Sequence, residues 1–416
     1  MPVDAPPLPT IDTGDTAWVL VSAALVMLMT PGLAFFYGGL VRSKNVLNTM
    51  MRSFIALGVV AILWAVCGYS LAFSPGNQWL GGLGWVGLSG VTGAANATYA
   101  ATLPHLVFMV YQLMFAVITP ALVSGAVVDR LRFGPYVAFM ALWSLLVYAP
   151  LAHWVWGDGG FLRDMKALDF AGGTVVHISA GVSALVAAKL LGPRRGWPGP
   201  QLRPHNVPFV MLGAALLWFG WFGFNAGSAL GANALAGLAF VTTNLAAAAA
   251  LVTWCTLDAT VSGKPTAVGA ATGAVVGLVT ITPAAGFVSP MSALAIGAIG
   301  ATVAYFSLRF LTRRHWADDS LDVFACHGMG GITGALLTGV FASKAQNDAG
   351  ADGLLHGALA PMWPQLAGVL CAAGLGALGT LAILGGLKAT VGLRVADEDE
   401  QVGLDVSEHA EEAYTR

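Results

Sequence analysis

Two histidines, His177 and His327, stand in apolar runs where an ionisable side chain is out of place. One run reads His177-Ile-Ser-Ala-Gly181-Val-Ser183, the other His327-Gly-Met-Gly-Gly331-Ile-Thr333, 150 residues later. Both carry a histidine, then a glycine four positions on, then valine or isoleucine, then serine or threonine. An imidazole donates, accepts and relays protons near neutral pH. An ionisable residue inside a membrane span costs about 2.5–3.5 kcal/mol on insertion scales, so it commonly marks a pathway. A lone histidine in a span is more often a packing group. Two in repeat-related positions favour a shared route. Each run follows an aspartate, Asp169 or Asp322. Asp169 reads as an N-cap at the outer end of its helix, accepting from free N–H groups, a role compatible with attracting cations. His177 lies eight residues beyond it, about 12 Å further along a helix at ~1.5 Å per residue.

Aromatic residues are expected at the outer mouth of such a route. Tyr111 and Phe115 are one helical turn apart and share a face, as do Phe224 and Ser228, and Trp156 ends a span on the outside. Such stripes most often pack a core or face lipid. They could also hold a small cation by π faces and one hydroxyl acceptor. His105, His153, His205, His315, His356 and His409 fall at span ends, in loops or in the tail, and read as structural or solvated. Cys67, Cys255, Cys326 and Cys371 sit in apolar spans without metal-ligand spacing and read as buried thiols.

The element that must position these residues is a membrane bundle. Of 416 residues 57% are hydrophobic and 10% charged, against about 25% charged in soluble domains. That excludes an ordinary cytosolic enzyme and a disordered chain. The net charge of -2 leaves no footprint for nucleic acid. Uncharged stretches 16–41, 133–157, 170–188, 323–343 and 353–387 each hold one span of roughly 20 residues, and 53–128, 204–257 and 265–308 hold two. The expected fold is an all-α polytopic membrane protein of eleven helices, with 74–103 as an outside loop. With the N-terminus outside, 16 of the 19 basic residues are cytoplasmic, Arg416 included, and only Arg163, Lys166 and Lys344 are outside. The C-terminus is then cytoplasmic. The first 16 residues lack the positive n-region of a classical signal peptide, so the first helix is expected to be retained.

Under this count the two histidine runs lie on oppositely directed helices, as in an inverted repeat of helices 1–5 and 6–10. The expected divisions are an extracytoplasmic segment 1–16, a first repeat 17–192, a linker 193–207, a second repeat 208–343, an eleventh helix 362–391 and a tail 392–416. The stripe Gly269-x3-Gly273-x3-Gly277 allows close helix approach but does not count subunits.

Several longer runs extend these motifs. They are Trp156-Gly157; Asp169-Phe-Ala-Gly-Gly-Thr-Val-Val-His177; Trp221-Phe-Gly-Phe224-Asn-Ala-Gly-Ser228-Ala; Asp322-Val-Phe through His327-Gly328; and Gly392-Leu-Arg-Val395. Together, in this order and over essentially the whole chain, they resemble the ammonium transporter (Amt/Mep/Rh) family, in its bacterial Amt branch. The resemblance implies a homotrimer with a narrow pore through each subunit, in the cytoplasmic (inner) membrane, without a cofactor. It implies that Trp156, Phe115 and Ser228 recruit ammonium, with Tyr111 alongside, and that Phe115 and Phe224 form a stacked gate. It implies that His177 and His327 line a dry pore, that Trp221 lines it too, and that Asp169 supports the outer site. The implied partners are ammonium or ammonia, methylammonium as a further substrate, the lipid bilayer and a PII-type signalling protein at the cytoplasmic mouth. Two positions depart from the pattern. Tyr111 stands where many members have phenylalanine, and His409-Ala410-Glu411 replaces the usual His-Gly-Glu. Alanine has fewer backbone conformations than glycine, so tail docking is expected to differ. The tail also carries eight acids between Asp397 and Glu412, and composition alone reads it as a solvated acidic end.

Transport by a non-enzyme is the expected function, with an ammonium sensor of little flux as the alternative. No appended kinase or cyclase domain is expected after helix 11, which favours transport. An intramembrane hydrolase finds no His-Glu-x-x-His motif, a water channel no Asn-Pro pair, and a potassium filter no Thr-Val-Gly-Tyr-Gly.

Overall fold

A computed structural model describes residues 10–199 and 202–414. Residues 1–9 of the expected N-terminal segment, and Arg416, lie outside the described residues. Among the described residues, ten helices are long and apolar enough to cross a membrane. They are α1 (Thr13–Leu40), α2 (Ser43–Phe73), α3 (His105–Ala126), α4 (Phe133–Asp164), α5 (Gly173–Leu191), α6 (Val207–Ala229), α7 (Ala234–Ser262), α9 (Pro290–Arg314), α10 (Phe324–Phe341) and α11 (Met362–Thr390). Between α7 and α9 lies a shorter apolar helix, α8 (Ala267–Ile281), of 15 residues. At ~1.5 Å per residue it reaches only about 22 Å, less than a ~30 Å core. Ten of the eleven expected spans are matched by helices of spanning length, and the stretch 265–308 holds one such helix and the shorter α8. The stretch after α2 is a loop with a small hairpin, β1 (Ala95–Asn96) and β2 (Ala100–Pro104).

The two halves pair their helices alike. α1 packs on α2 and α3, and α6 on α7 and α8; α2 packs on α4, and α7 on α9. α1 and α6 form the main seam between halves. π-helical turns recur in matching helices: Trp64–Gly68 in α2 and Asp258–Ser262 in α7, Gly173–Ile178 in α5 and Phe324–Met329 in α10. A fifth, Ser144–Tyr148 in α4, has no counterpart in α9. The 269–277 glycine stripe packs against Trp254 and Ala250 of α7 in the same chain, so it serves internal packing.

The tail is docked rather than solvated. Its helices α12 (Asp397–Val402) and α13 (Leu404–His409) lie against the α1–α2 turn. Leu404 N–H donates to Asn45 Oδ1, and Asn48 N–H donates to Asp405 Oδ1, both at 2.8 Å. Phe133 N–H donates to Glu408 Oε2 at 2.8 Å, and Arg394 holds Glu400 at 2.7 Å. Glu400 and Asp405 are each only 1% exposed. Glu400, Asp405 and Glu408 are satisfied by backbone N–H groups and an arginine, which is how buried carboxylates become tolerable, while Asp397, Glu398, Glu411 and Glu412 stay exposed as composition suggests. Burial pushes the Asp405 carboxyl up, against the pull of the Asn48 N–H.

Ala410 keeps a left-handed backbone (φ 56°) and caps α13. The departure from glycine leaves the turn intact and costs strain instead, since this region is unfavourable for a residue with a Cβ. Ala410→Gly is expected to tighten docking by about 0.5–1 kcal/mol once the looser unfolded chain is offset. Amide hydrogen exchange over 397–410 should slow by about two- to fivefold; faster exchange would contradict the strain argument.

Candidate functional site

α5 and α10 begin alike. A residue with left-handed backbone precedes each, Gly172 (φ 110°) and Asp322 (φ 58°). An aspartate then folds back onto the first turn. Asp169 accepts from the N–H groups of Gly172 (3.0 Å), Thr174 (2.9 Å) and Val175 (3.1 Å). Asp319 accepts from Phe324 N–H at 2.6 Å. The counterpart of Asp169 is thus Asp319, 150 residues on, and not Asp322. Burial pushes both carboxyls up to about 6, against the pull of these N–H groups. Asp169 is also not the residue that opens the helix. α5 starts at Gly173 because Gly172 cannot be helical at that φ, and the carboxylate caps across the gap. His177 therefore lies four residues into α5 rather than eight, about 6 Å from its start.

Both histidines sit in π turns, which admit one extra residue and are frequent at functional sites. The helices cross where glycine removes side chains. A Cβ on Gly331 would lie 3.0 Å from the Gly173 carbonyl and 3.1 Å from His177 Cβ, and one on Gly181 would overlap Gly328 N. This approach brings His327 Nδ1 within 3.2 Å of His177 Nδ1, with ring centres 5.2 Å apart. One nitrogen must donate and the other accept, so two neutral rings take opposite tautomers. His177 Nε2 is buried without a hydrogen-bond partner among the described residues. Beside the pair is a cavity of about 10 Å³, lined by carbon from α1, α3, α5, α6 and α8 and by the two imidazoles. It has room for about one water-sized molecule.

A ladder of rings leads from the rim to this pair. Half-buried Trp156 stands 6.1 Å from Phe115, Phe115 stands 4.3 Å from Phe224, and Phe224 stands 6.0 Å from His177. Trp221 stacks on His177 at 5.4 Å. The Trp156 indole donates to the Asp169 carbonyl at 3.0 Å, which ties the rim to the start of α5. Tyr111 is buried, and its hydroxyl is engaged with the Gly223 and Phe224 carbonyls (2.9 Å each) and with Ser228 Oγ (3.1 Å). Ser228 donates to the Phe224 carbonyl at 2.9 Å. Its one proton is then spent, and a lone pair is left to accept from a ligand N–H.

All nine residues singled out by the sequence thus lie along one path. Tyr111 fixes Ser228 rather than presenting a free hydroxyl. Two contributors escape a reading of the sequence. Thr282 accepts from the Trp221 indole at 2.9 Å, and nothing marks it among the threonines. Asp319 is visible only through its 150-residue offset from Asp169. Of the other histidines, His153 is fully buried between the Ala72 and Asn77 carbonyls, and His105 is held by Tyr69, both structural as expected.

Comparison with known proteins adds to this geometry. A family model described as the Ammonium Transporter Family matches residues 17–414. The ammonium transporter of Bacillus subtilis (strain 168) is 48% identical over 401 residues, covering 96% of this chain and 98% of its own. The crystal structure of Saccharomyces cerevisiae Mep2 superposes with a TM-score of 0.87 at 37% identity, covering 94% of this chain and 89% of that one. A structure described as a sensor Amt protein gives 0.86 at 31% identity, covering 95% and 98%.

Proposed function

The chain belongs to the ammonium transporter family, and we propose that it carries ammonium nitrogen through the membrane as neutral ammonia while the proton travels separately. A small cation entering an apolar pore loses hydration worth several kcal/mol or more. Aromatic faces return only about 0.5–2 kcal/mol. Splitting NH4+ into NH3 and H+ removes the charge that the cavity cannot solvate. In this reading Trp156, Phe115 and Ser228 hold the ion at the rim, and Tyr111 and Asp169 keep Ser228 and Trp156 in place. Phe115 and Phe224 close the entrance. Ammonia then passes Trp221, His177 and His327, the proton crosses between the two imidazoles, and the parts recombine on the far side. The single observation that carries this reading is the imidazole pair bordering a cavity one molecule wide and otherwise walled by carbon.

The same reading places α1–α11 as eleven spans in two inverted repeats, with the N-terminus outside and the tail in the cytoplasm. The matched pairings and π turns of the halves, and the basic-residue count, support it. It extends to a homotrimer in the inner membrane and to a PII-type partner at the tail face, both by resemblance.

Currents from proteoliposomes given ammonium, methylammonium or potassium test the proposal. Current with the first two and none with potassium is expected, because a metal cation has no proton to shed. Wild-type flux without current under any gradient would overturn the separate proton path. Phe115→Ala and Phe224→Ala should change the rate more than the selectivity; free potassium conduction by either would refute the role of deprotonation. The likeness to a sensor Amt protein favours one rival, a sensor of little flux. Liposome uptake no faster than in protein-free controls would select it.

A further inference from the structure

A second polar site lies away from the pore, on the outer face of the bundle between the ends of α7 and α9. A groove of about 450 Å³ is lined by Val261, Phe306, Arg309, Phe310, Arg313 and Arg314. It is on the tail side of the molecule, since the neighbouring Leu311 and Thr312 border a cavity shared with Arg194 and Asp318. No acidic residue lines it. The nearby Asp258 carboxylate is turned to Thr266 Oγ1 at 3.0 Å.

One of the three guanidinium groups is held in place. Arg309 Nη1 donates to Ser262 Oγ (3.0 Å) and Tyr305 Oη (3.3 Å), and its Cζ stands 5.6 Å from the Tyr305 ring. Ser262 closes the π turn of α7, so the distorted helix end presents the hydroxyl that orients this arginine. Arg309 Nε and Nη2 make no bond among the described residues. Arg314 lies 5.8 Å from the Phe310 ring. Among the described residues, none of the three arginines is in an ion pair. Beside them Phe306 and Phe310 are 49% and 60% exposed. The site thus joins three unpaired forked donors to two bare aromatic rings at the end of a membrane helix.

We propose that this groove binds the phosphate headgroup of an anionic phospholipid, with its acyl chains lying along Phe306 and Phe310. A guanidinium fork matches a phosphodiester. The adjoining apolar surface is what separates a lipid from a free phosphate, and the absence of a carboxylate favours an anion over a zwitterion. Three arginines around one groove also exceed the scattered basic residues that simply anchor a helix end at the interface.

Native mass spectrometry of the full chain, released from nanodiscs of phosphatidylglycerol and phosphatidylcholine, tests the site. The phosphatidylglycerol preference should fall about fivefold for each arginine replaced in the series Arg313→Gln, Arg313→Gln with Arg314→Gln, and all three. Arg313 is exposed and unbonded, so the first variant should fold as the wild type does. Lys388→Gln, a basic change at the end of α11, should leave the preference unchanged. An equal loss in Lys388→Gln would reassign the effect to diffuse surface charge. No loss in the triple variant, or displacement of the lipid by deacylated glycerophosphoglycerol, would overturn a lipid site. A changed subunit number with unchanged lipid adducts would make the face a seam between copies of this chain.

Discussion

His177→Asp or His327→Asp is expected to abolish the current that accompanies ammonium uptake while substrate still crosses. The two imidazoles share one N–H···N contact at 3.2 Å and take opposite tautomers. A proton that enters on one ring nitrogen can leave from the other, and that exchange moves charge without moving ammonium. Aspartate is smaller than histidine and leaves the apolar path open to ammonia. Its oxygens lie on one short arm, however, and cannot take up a proton on one side of a ring and release it on the other. Loss of a positioned proton-transfer group lowers a rate by about a hundredfold or more. Current per ammonia molecule should fall by that order in solid-supported membrane recordings. Uptake followed by internal alkalinisation should remain measurable. A variant that keeps its current per molecule transported would show that the proton does not pass through the pair.

Most of the candidate site was legible because its residues are chemically conspicuous. A histidine, a tryptophan or a pair of phenylalanines one turn apart stands out in a chain of alanine, valine and leucine. Span positions followed from the same contrast, since each gap between charges fixes how many helices fit. What the residues could not reveal is backbone shape. Gly172 was readable as a glycine but not as the residue that ends the capping loop. The helix start therefore shifted by four residues, and His177 with it. The π turns left no mark in the apolar pattern, although they re-aim both histidines. Asp322 stands nearer its histidine in sequence and so looks like the match for Asp169, whereas the backbone bonds single out Asp319. The tail shows the same limit from the other side. Its acids look solvated by composition, yet Glu400 and Asp405 are buried by contacts more than 200 residues away in sequence.

Gly181→Ala is expected to cost as much function as losing a pore histidine, through packing alone. The added methyl group would fall on the Gly328 backbone nitrogen, nearer than non-bonded atoms approach. Backbone faces backbone there, so no rotamer can relieve the overlap and α5 and α10 must part. Overpacking of this kind costs about 1–3 kcal/mol. The functional loss is larger, because the Nδ1 contact survives only within hydrogen-bond range and a displacement of about 1 Å can lower a rate a hundredfold. Gly331→Ala sets a graded comparison. Its methyl would meet the Gly173 carbonyl at 3.0 Å, a clash of a few tenths of an ångström, and the loss should be milder. Gly374→Ala, with open space around it on α11, should leave flux intact and raise stability by about 0.5–1 kcal/mol. Current per ammonia molecule and thermal unfolding of the three variants separate the effects. If the current tracked stability across the series, the crossing would be a structural seam only. If current per molecule fell most in Gly181→Ala, beyond its change in stability, the distance between the imidazoles is what the crossing exists to set.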